Sequence, residues 1–280
     1  MNVFFAGRKP MSGLKKAVRA AGGRVTREVN AADAVVWTDA YGRKKAIGAL
    51  RAGIPVYYAG TSDALLRKAG GLDEALIGRA LLYVPYARRF QGSFEVMASQ
   101  ARDGAVGDPG FVRIHSNQPF PRGTGAPQKR ERYEVVWGGL IHDIDWLQRE
   151  FGPIRKVFAQ GVQKTRPKLE YVMATFTMKS GLIAQVIHSY QSHGESVVRA
   201  EICGTSGIVQ FDSSEQPIRQ HGGVHLLEQI EPDYDAHWEA FEALASQKRV
   251  SKKQAASFTD PVRIADLTQK SIRSGQAQKV

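Results

Sequence analysis

The feature that most restricts what this chain can fold into is a change of pattern near residue 110. Before it, short apolar runs alternate with segments of helical spacing, and after it strand-like runs follow one another with no helix between them. Alternation of strand and helix requires right-handed crossovers and gives a parallel sheet with helices on its faces. Strands joined by short turns give an antiparallel sheet instead. The pattern predicts an α/β chain: a parallel-sheet domain over residues 1–110, then an α+β domain over 111–280 with a largely antiparallel open sheet. The C-terminal helices are free to pack back on the first domain.

The segments can be read one by one. Val3-Phe4-Phe5-Ala6-Gly7 is a short strand ending in glycine, and residues 12–21 carry Leu14, Ala17, Val18 and Ala21 at helical spacing before Gly22-Gly23. Residues 24–29 alternate as a half-buried strand, while Ala34-Val35-Val36-Trp37-Thr38 is the continuous apolar run of a buried parallel strand. Helices are expected at 43–52 and 63–69, and strands at 55–58 and 80–84. In the second half, strands are expected at 111–116, 154–163, 171–178, 182–190, 197–203 and 207–211, with Lys179-Ser180-Gly181 as a hairpin turn. Residues 140–151 form a helix stopped by Gly152-Pro153, and residues 234–246 form another. A last helix has Asp260 as N-cap, Pro261 in the first position and Gly275 after its final turn.

Lys and Arg total 39 against 27 Asp and Glu, a formal charge of +12 that favours anionic small partners such as nucleotides or phosphorylated sugars. The basic residues come in short clusters without interleaved stacking aromatics, so they read as solvated surface rather than a nucleic-acid site. Cys203 is the single cysteine and cannot form an internal disulfide. With no basic leader before an apolar run at the start and no bilayer-length apolar segment, the expectation is a cytoplasmic protein with no membrane partner.

Several stretches in order resemble the glucose-fructose/inositol dehydrogenase-like family, Gfo/Idh/MocA. Asp33-Ala34-Val35-Val36-Trp37-Thr38, then 46–53 and Pro55-Val56, is similar to the family's fourth strand, helix and fifth strand. Tyr86-Ala87-Arg88-Arg89-Phe90 followed by Gly104-Ala105-Val106-Gly107 is similar to the entry to its second domain. Gly138-Gly139-Leu140-Ile141-His142-Asp143-Ile144-Asp145, with Phe151-Gly152, resembles the Gly-Gly stretch and His-x-x-Asp helix of its active site. Gly204-Thr205-Ser206-Gly207 and Ser274-Gly275-Gln276 also fit. The resemblance implies a shortened Rossmann-like domain, an NADP or NAD cofactor, and an oxidoreductase acting on a sugar, polyol or related small hydroxy or keto compound. A non-catalytic relative used for assembly or ligand sensing is the alternative. The first 70 or so residues also look like a BRCT module, which binds phosphopeptides or DNA ends, but its expected tryptophan is absent from residues 61–71.

The departures from the family pattern are specific. The turn reads Gly7-Arg8-Lys9-Pro10-Met11-Ser12-Gly13, with Lys9 where a second glycine would let the backbone approach a pyrophosphate. The chain passes almost directly from the strand at 24–29 to that at 34–38, omitting a helix-strand-helix portion. Ala59-Gly60-Thr61 stands in place of Glu-Lys-Pro, so the family's catalytic lysine is replaced by Gly60, and its frequent acid four places before the histidine is replaced by Gly138.

Candidate chemistry follows from these residues. Oxidation of a secondary alcohol needs a base, which a near-neutral imidazole supplies, and His142 with Asp145 at i+3 can face one cleft. The bland alternative is that His142 packs within its helix and that Asp143 and Asp145 serve the helix dipole. Gly7, Arg8, Lys9, Ser12, Gly13 and Thr38 form a candidate cofactor-binding turn, with Arg8 and Lys9 favouring the phosphorylated cofactor; the alternative is an ordinary basic turn with Ser12 as N-cap. Tyr86, Arg89 and Gly139 are candidate substrate contacts, Arg89 serving equally well to hold the domains together. His188, His193, His221, His225 and His237 have no metal-ligand spacing, so no metal is expected. An open sheet of this size predicts a homo-oligomer, with Val172, Ala174, Phe176, Val186 and Val198 on the covered face.

Overall fold

The computed structural model describes residues 1–8, 11–59, 80–118, 135–163, 169–190, 196–214, 218–220, 223–225, 234–247 and 251–280. Lys9, Gly60, Thr61 and the expected helix at 63–69 lie outside them. The chain divides into two compact units, one of Met1–Phe90 with Glu231–Val262 and one of Gln91–Ile230 with Arg263–Val280.

The first unit is built on a five-stranded parallel sheet of β1 (Asn2–Ala6), β2 (Arg24–Thr26), β3 (Ala34–Trp37), β4 (Val56–Tyr58) and β5 (Leu82–Tyr83), in the order β2-β1-β3-β4-β5. Every residue of β3 is buried, as the uninterrupted apolar run requires of a central strand covered on both faces. Helix α1 (Ser12–Ala20) buries Leu14, Ala17 and Val18, and α2 (Arg43–Arg51) buries Ala46, Ala49 and Leu50. The strand expected at 24–29 is only three residues long. A 3-10 turn at Val29–Ala31 replaces the rest and carries the chain straight into β3. The omitted portion removes only what would lie outside β2, so the strand order still reverses between β1 and β3, where open α/β sheets bind ligands.

The segment that returns to this unit, α5 (Tyr234–Ala245) and the start of α6 (Lys252–Ser274), supplies an aromatic core. Tyr57 packs edge-on to Phe241 at 5.5 Å between ring centres, Tyr83 lies 4.9 Å from Phe258, and Trp238 and Phe241 are 5.1 Å apart. Burial pushes the Tyr57 phenol far above its ordinary pKa, reinforced by Tyr83 and Tyr234. The expected start of the last helix, with Asp260 as N-cap and Pro261 as first residue, is wrong: α6 begins nine residues before Pro261 and contains it. Its true start is a capping box, in which Gln254 N–H donates to Ser251 Oγ at 3.2 Å and Ser251 N–H to Gln254 Oε1 at 2.9 Å. Proline at 261 cannot donate to the carbonyl of Ser257, but that oxygen accepts from the Arg89 guanidinium at 3.2 Å. The next carbonyl, of Phe258, accepts from the Tyr86 hydroxyl at 2.6 Å. External donors thus satisfy the helix where the proline disturbs it.

The second unit carries a nine-stranded sheet. Its strands are β6 (Pro109–Asn117), β7 (Ile154–Val162), β8 (Tyr171–Met178), β9 (Ile183–Ser189), β10 (Val197–Gly204), β11 (Ile208–Asp212), β12 (Ile218–Gln220), β13 (Gly223–His225) and β14 (Gln278–Lys279). The order is β13-β12-β11-β10-β6-β9-β8-β7-β14, antiparallel apart from the β6–β9 pair. The hairpin at Lys179-Ser180-Gly181 is present, closed by Gly181 N–H to Met178 O. Helices α3 (Gly92–Arg102) and α4 (Ile141–Phe151) belong to this unit; Phe94 on α3 meets Trp146 edge-on at 5.0 Å and Phe211 of β11 at 6.2 Å.

The expected composition of the open face is inverted. Val172, Ala174, Phe176, Val186 and Val198 are all buried, and the exposed apolar side chains are instead Phe158, Val162, Met173, Ile183 and Ile208. Strand parity decides this, since successive side chains take opposite faces. The set 172-174-176-178 is uninterruptedly apolar and goes to the core. The opposite set, 171-173-175-177, mixes Tyr171, Met173, Thr175 and Thr177 and faces out.

Candidate active site

Helix α4 is entered through a π-helical turn, Val136–Leu140, centred on Gly138 and Gly139. Such single wide turns recur at functional sites. Both glycines are required by close approach: a Cβ on Gly138 would stand 2.4 Å from the Tyr190 hydroxyl, and one on Gly139 would stand 2.5 Å from His188 Nδ1. His188 and Tyr190 are two apart on β9 and its extension, so the pleat turns both toward the glycines. The site candidate Gly139 is therefore a floor that the His188 imidazole approaches by its Nδ1 and Cε1 atoms.

His188 Nε2 donates to Asp143 Oδ2, with the two side chains 1% and 0% exposed. Nδ1, which has no hydrogen-bond partner among the described residues, stands against Gly139. Ser116 and Glu170 are buried beside His188 and Tyr190 in strand register: Ser116 pairs with His188 across β6 and β9, and Tyr190 N–H donates to Glu170 O at 3.0 Å. The predicted pair His142 and Asp145 sits on the first turn of α4, His142 half-buried and Asp145 2% exposed. Of His142, Asp143 and Asp145, only His142 keeps access to solvent. Sequence reasoning left Asp143 as a dipole partner and His188 without a role. For His188 the signal was parity, since it continues the buried set Ala184, Val186.

In the first unit, the candidate cofactor turn follows β1. Gly7 has φ +134°, and a Cβ there would meet Thr38 Oγ1 at 2.1 Å and Asp39 Oδ1 at 2.6 Å, so only glycine fits between the ends of β1 and β3. Thr38 is buried and donates to Ala6 O at 3.2 Å. Asp39, which the sequence reading did not single out, accepts from Arg8 N–H at 2.6 Å, Tyr41 N–H at 3.0 Å and Gly42 N–H at 3.3 Å. The Arg8 guanidinium lies 4.0 Å above the Tyr41 ring. Ser12 is the first helical residue rather than the N-cap; Met11 holds that position, with no side-chain cap. Lys9 lies outside the described residues. The residues present fit an anionic ligand in part: the tight Gly7 turn and uncapped α1 amides suit a phosphate, while Asp39 already takes the Arg8 amide.

Tyr86 and Arg89, the other candidate substrate contacts, are engaged with α6. Arg89 also stacks 4.4 Å from the Phe258 ring and 5.5 Å from that of Tyr86. Among the described residues no group of three or more His, Cys, Asp or Glu is placed to hold a metal ion, and no helix is long and apolar enough to cross a membrane.

A parallel sheet with its reversal between β1 and β3, joined to an open mixed sheet with a glycine-floored polar wall, defines the class: a Rossmann-like domain followed by an α+β domain. Residues 94–210 match the GFO/IDH/MocA C-terminal domain. The chain is 26% identical over 217 residues, 73% of its length, to an inositol 2-dehydrogenase of Acidothermus cellulolyticus, and spans 62% of that relative's length. Its fold is that of a myo-inositol dehydrogenase from Corynebacterium glutamicum (TM-score 0.72, 14% identity, 100% of this chain and 98% of that one). A scyllo-inositol dehydrogenase from Lactobacillus casei, solved with NAD(H) and scyllo-inositol, matches at TM-score 0.66 and 15% identity over 100% and 98% of the two chains.

Proposed function

We propose that this protein is an NAD(P)-linked oxidoreductase acting on a sugar, polyol or similar small hydroxy or keto compound. The observation that carries the reading is the half-buried His142 one turn after a glycine floor lined by Tyr190 and the His188–Asp143 pair. A polyhydroxylated ring needs several donors and acceptors in fixed places, and a buried polar wall of this kind provides them without the entropy cost of ordering long side chains. A nicotinamide cofactor, when bound, supplies the hydride acceptor; Gly7, Ser12, Gly13 and Thr38 are the residues to hold its phosphates at the β1 and β3 ends. Arg8 and Lys9 are the accompanying charges.

The chain's own chemistry is the proton. His142 accepts the hydroxyl proton of the substrate at its imidazole and returns it to solvent, to which it alone of its helix turn is open. Asp145, one turn on, is its buried electrostatic partner. Asp143 acts at a distance from the substrate, by fixing the His188 tautomer and so the wall. The exposed face bearing Phe158, Met173 and Ile183 is a subunit interface of a homo-oligomer, and the protein works in the cytoplasm.

The test is turnover of a polyol and sugar panel with NAD and NADP, together with cofactor titration. His142→Ala should lower kcat by roughly a hundred-fold, the scale of a positioned proton-transfer group. Turnover indifferent to that change, or no cofactor binding and no turnover across the panel, would refute the reading.

A further inference from the structure

Two side chains of β9 and its extension stand against the two adjacent glycines of the π-helical turn, and each glycine is followed four residues later by a titratable group. Along a helix, residues four apart share a face, and a side chain leans back over the turn before its own Cα. Gly139 and Asp143 show what this does here: His188 stands against Gly139 by Nδ1 and Cε1 and meets Asp143 Oδ2 through Nε2. One residue back on the helix and two further along the strand, the arrangement is repeated with Gly138, Tyr190 and His142. A Cβ on Gly138 would collide with the Tyr190 hydroxyl, while the ring atoms Cζ and Cε2 lie 3.4 and 3.6 Å from it, which is ordinary contact. The hydroxyl, and not the ring, is what requires glycine at 138. Tyr190 is 3% exposed, so the phenol is enclosed on the helix face over which His142 leans.

From this repeated geometry we infer that Tyr190 is a positioning residue for His142. Its phenol oxygen takes one imidazole N–H and leaves the other ring nitrogen, with its lone pair, for the substrate hydroxyl. A histidine acts as a base only through a nitrogen that carries no proton, and the partner of the opposite nitrogen decides which one that is. The substrate proton passes to the open nitrogen while the N–H to Tyr190 is retained. The inference rests on the proposed role of His142 as base. Tyr190 acts through the imidazole, so its loss is felt in turnover and not in substrate binding.

The test uses the full chain with Tyr190→Phe, which removes the hydroxyl and keeps the ring, with Gly138→Ala, which displaces the hydroxyl, and with both together. Among the described residues, the buried titratable groups Asp143 and Asp145 of α4, His188 of β9 and Glu170 at the head of β8 stay in place in all three. The His142 ring is followed by chemical-shift titration, assigned by its loss in His142→Gln, and turnover is followed on the polyol and sugar panel, with thermal unfolding as a check on folding. Losing an acceptor for the imidazole N–H disfavours the charged ring, so the His142 midpoint should move to lower pH by about 0.5–1 in Tyr190→Phe. The acid limb of kcat/KM should move the same way, and kcat should fall about ten-fold with KM unchanged. Gly138→Ala should act in the same direction, and in the Tyr190→Phe chain it should add nothing, because the ring atoms left in its way are at ordinary contact. A midpoint and kcat unaltered by Tyr190→Phe, in a chain that still loses turnover with His142→Ala, would overturn the inference and leave the proposed function standing. A shifted midpoint in a chain that turns over nothing on the panel would uphold the contact while the proposed function fails. If Gly138→Ala costs as much in the Tyr190→Phe chain as in the wild type, the glycine does not serve the hydroxyl and the inference fails.

Discussion

Gly139→Ala is the change whose consequence can be worked furthest from the structure. The new Cβ would lie 2.5 Å from His188 Nδ1 and 2.9 Å from Cε1, so the ring must retreat by about 0.9 Å to restore ordinary contact. It has little room to do so, being 1% exposed and tied through Nε2 to Asp143. If the π-helical turn yields instead, the cost is that of overpacking, about 1–3 kcal/mol. If the imidazole swings out of line and breaks the buried His188–Asp143 pair, the cost rises to about 3–5 kcal/mol. We expect about 2–4 kcal/mol, read by urea unfolding, with faster amide exchange in peptides covering 135–151. A cycle with His188→Ala isolates the contact: in that background the alanine at 139 should cost less than about 1 kcal/mol, because the ring it strikes is gone. An equal cost in both backgrounds would refute the argument that the glycine exists to seat His188.

Three further outcomes follow. Arg89→Ala removes the donor to Ser257 O and the stack on Phe258, and should destabilise the first unit by about 1–3 kcal/mol in thermal unfolding; the same change in a Pro261→Ala background should cost less, because residue 261 then supplies the missing N–H. His115 has its pKa lowered, by burial first and then by Arg199, His188 and Arg113 against a raising bond with Asn117, so the unfolded chain takes up the proton at higher pH than the folded one. Its stability penalty is absent above the ordinary histidine value of about 6.5 and grows as pH falls below it; His115→Gln should flatten that limb, whereas Asp212, held low by Ser214 and Arg199 against the opposing effect of burial, acts only at more acid pH. Met173→Asp or Ile183→Asp on the exposed face should yield a monomer in light scattering with little loss of thermal stability. Val172→Asp, one pleat over and buried, should unfold the second unit instead.

What could be read from the sequence was whatever depends on local pattern. The strands at 171–178 and 197–203 and the hairpin at 179–181 are placed within a residue of the structure, because alternation and turn residues are read locally. The parity of β8 was legible, since only the set 172-174-176-178 is uninterruptedly apolar; what local pattern does not report is that this face is covered within the chain rather than by a second subunit. Pro261 misled because proline at a helix start is the common case; the Ser251–Gln254 box, three residues apart, was the better signal. The His188–Asp143 pair and the Asp39 turn join residues 45 and 31 positions apart, and no periodicity reports on contacts at such range.

The return of α5 and early α6 to the first unit sets a timetable for synthesis. Tyr57 and Tyr83 emerge with the parallel sheet, but the rings that cover them, Trp238, Phe241 and Phe258, follow only after the whole of residues 91–230 has been made. At ordinary translation speeds of about 5–20 residues per second, that delay is roughly 7–28 seconds. For that time the nascent sheet carries an uncovered aromatic face, long enough to recruit a chaperone or to meet the same face on a neighbouring ribosome's chain. Expression yield should therefore depend on chaperone supply more than the finished protein's stability would suggest, and codon choice across 91–230 becomes a variable of folding.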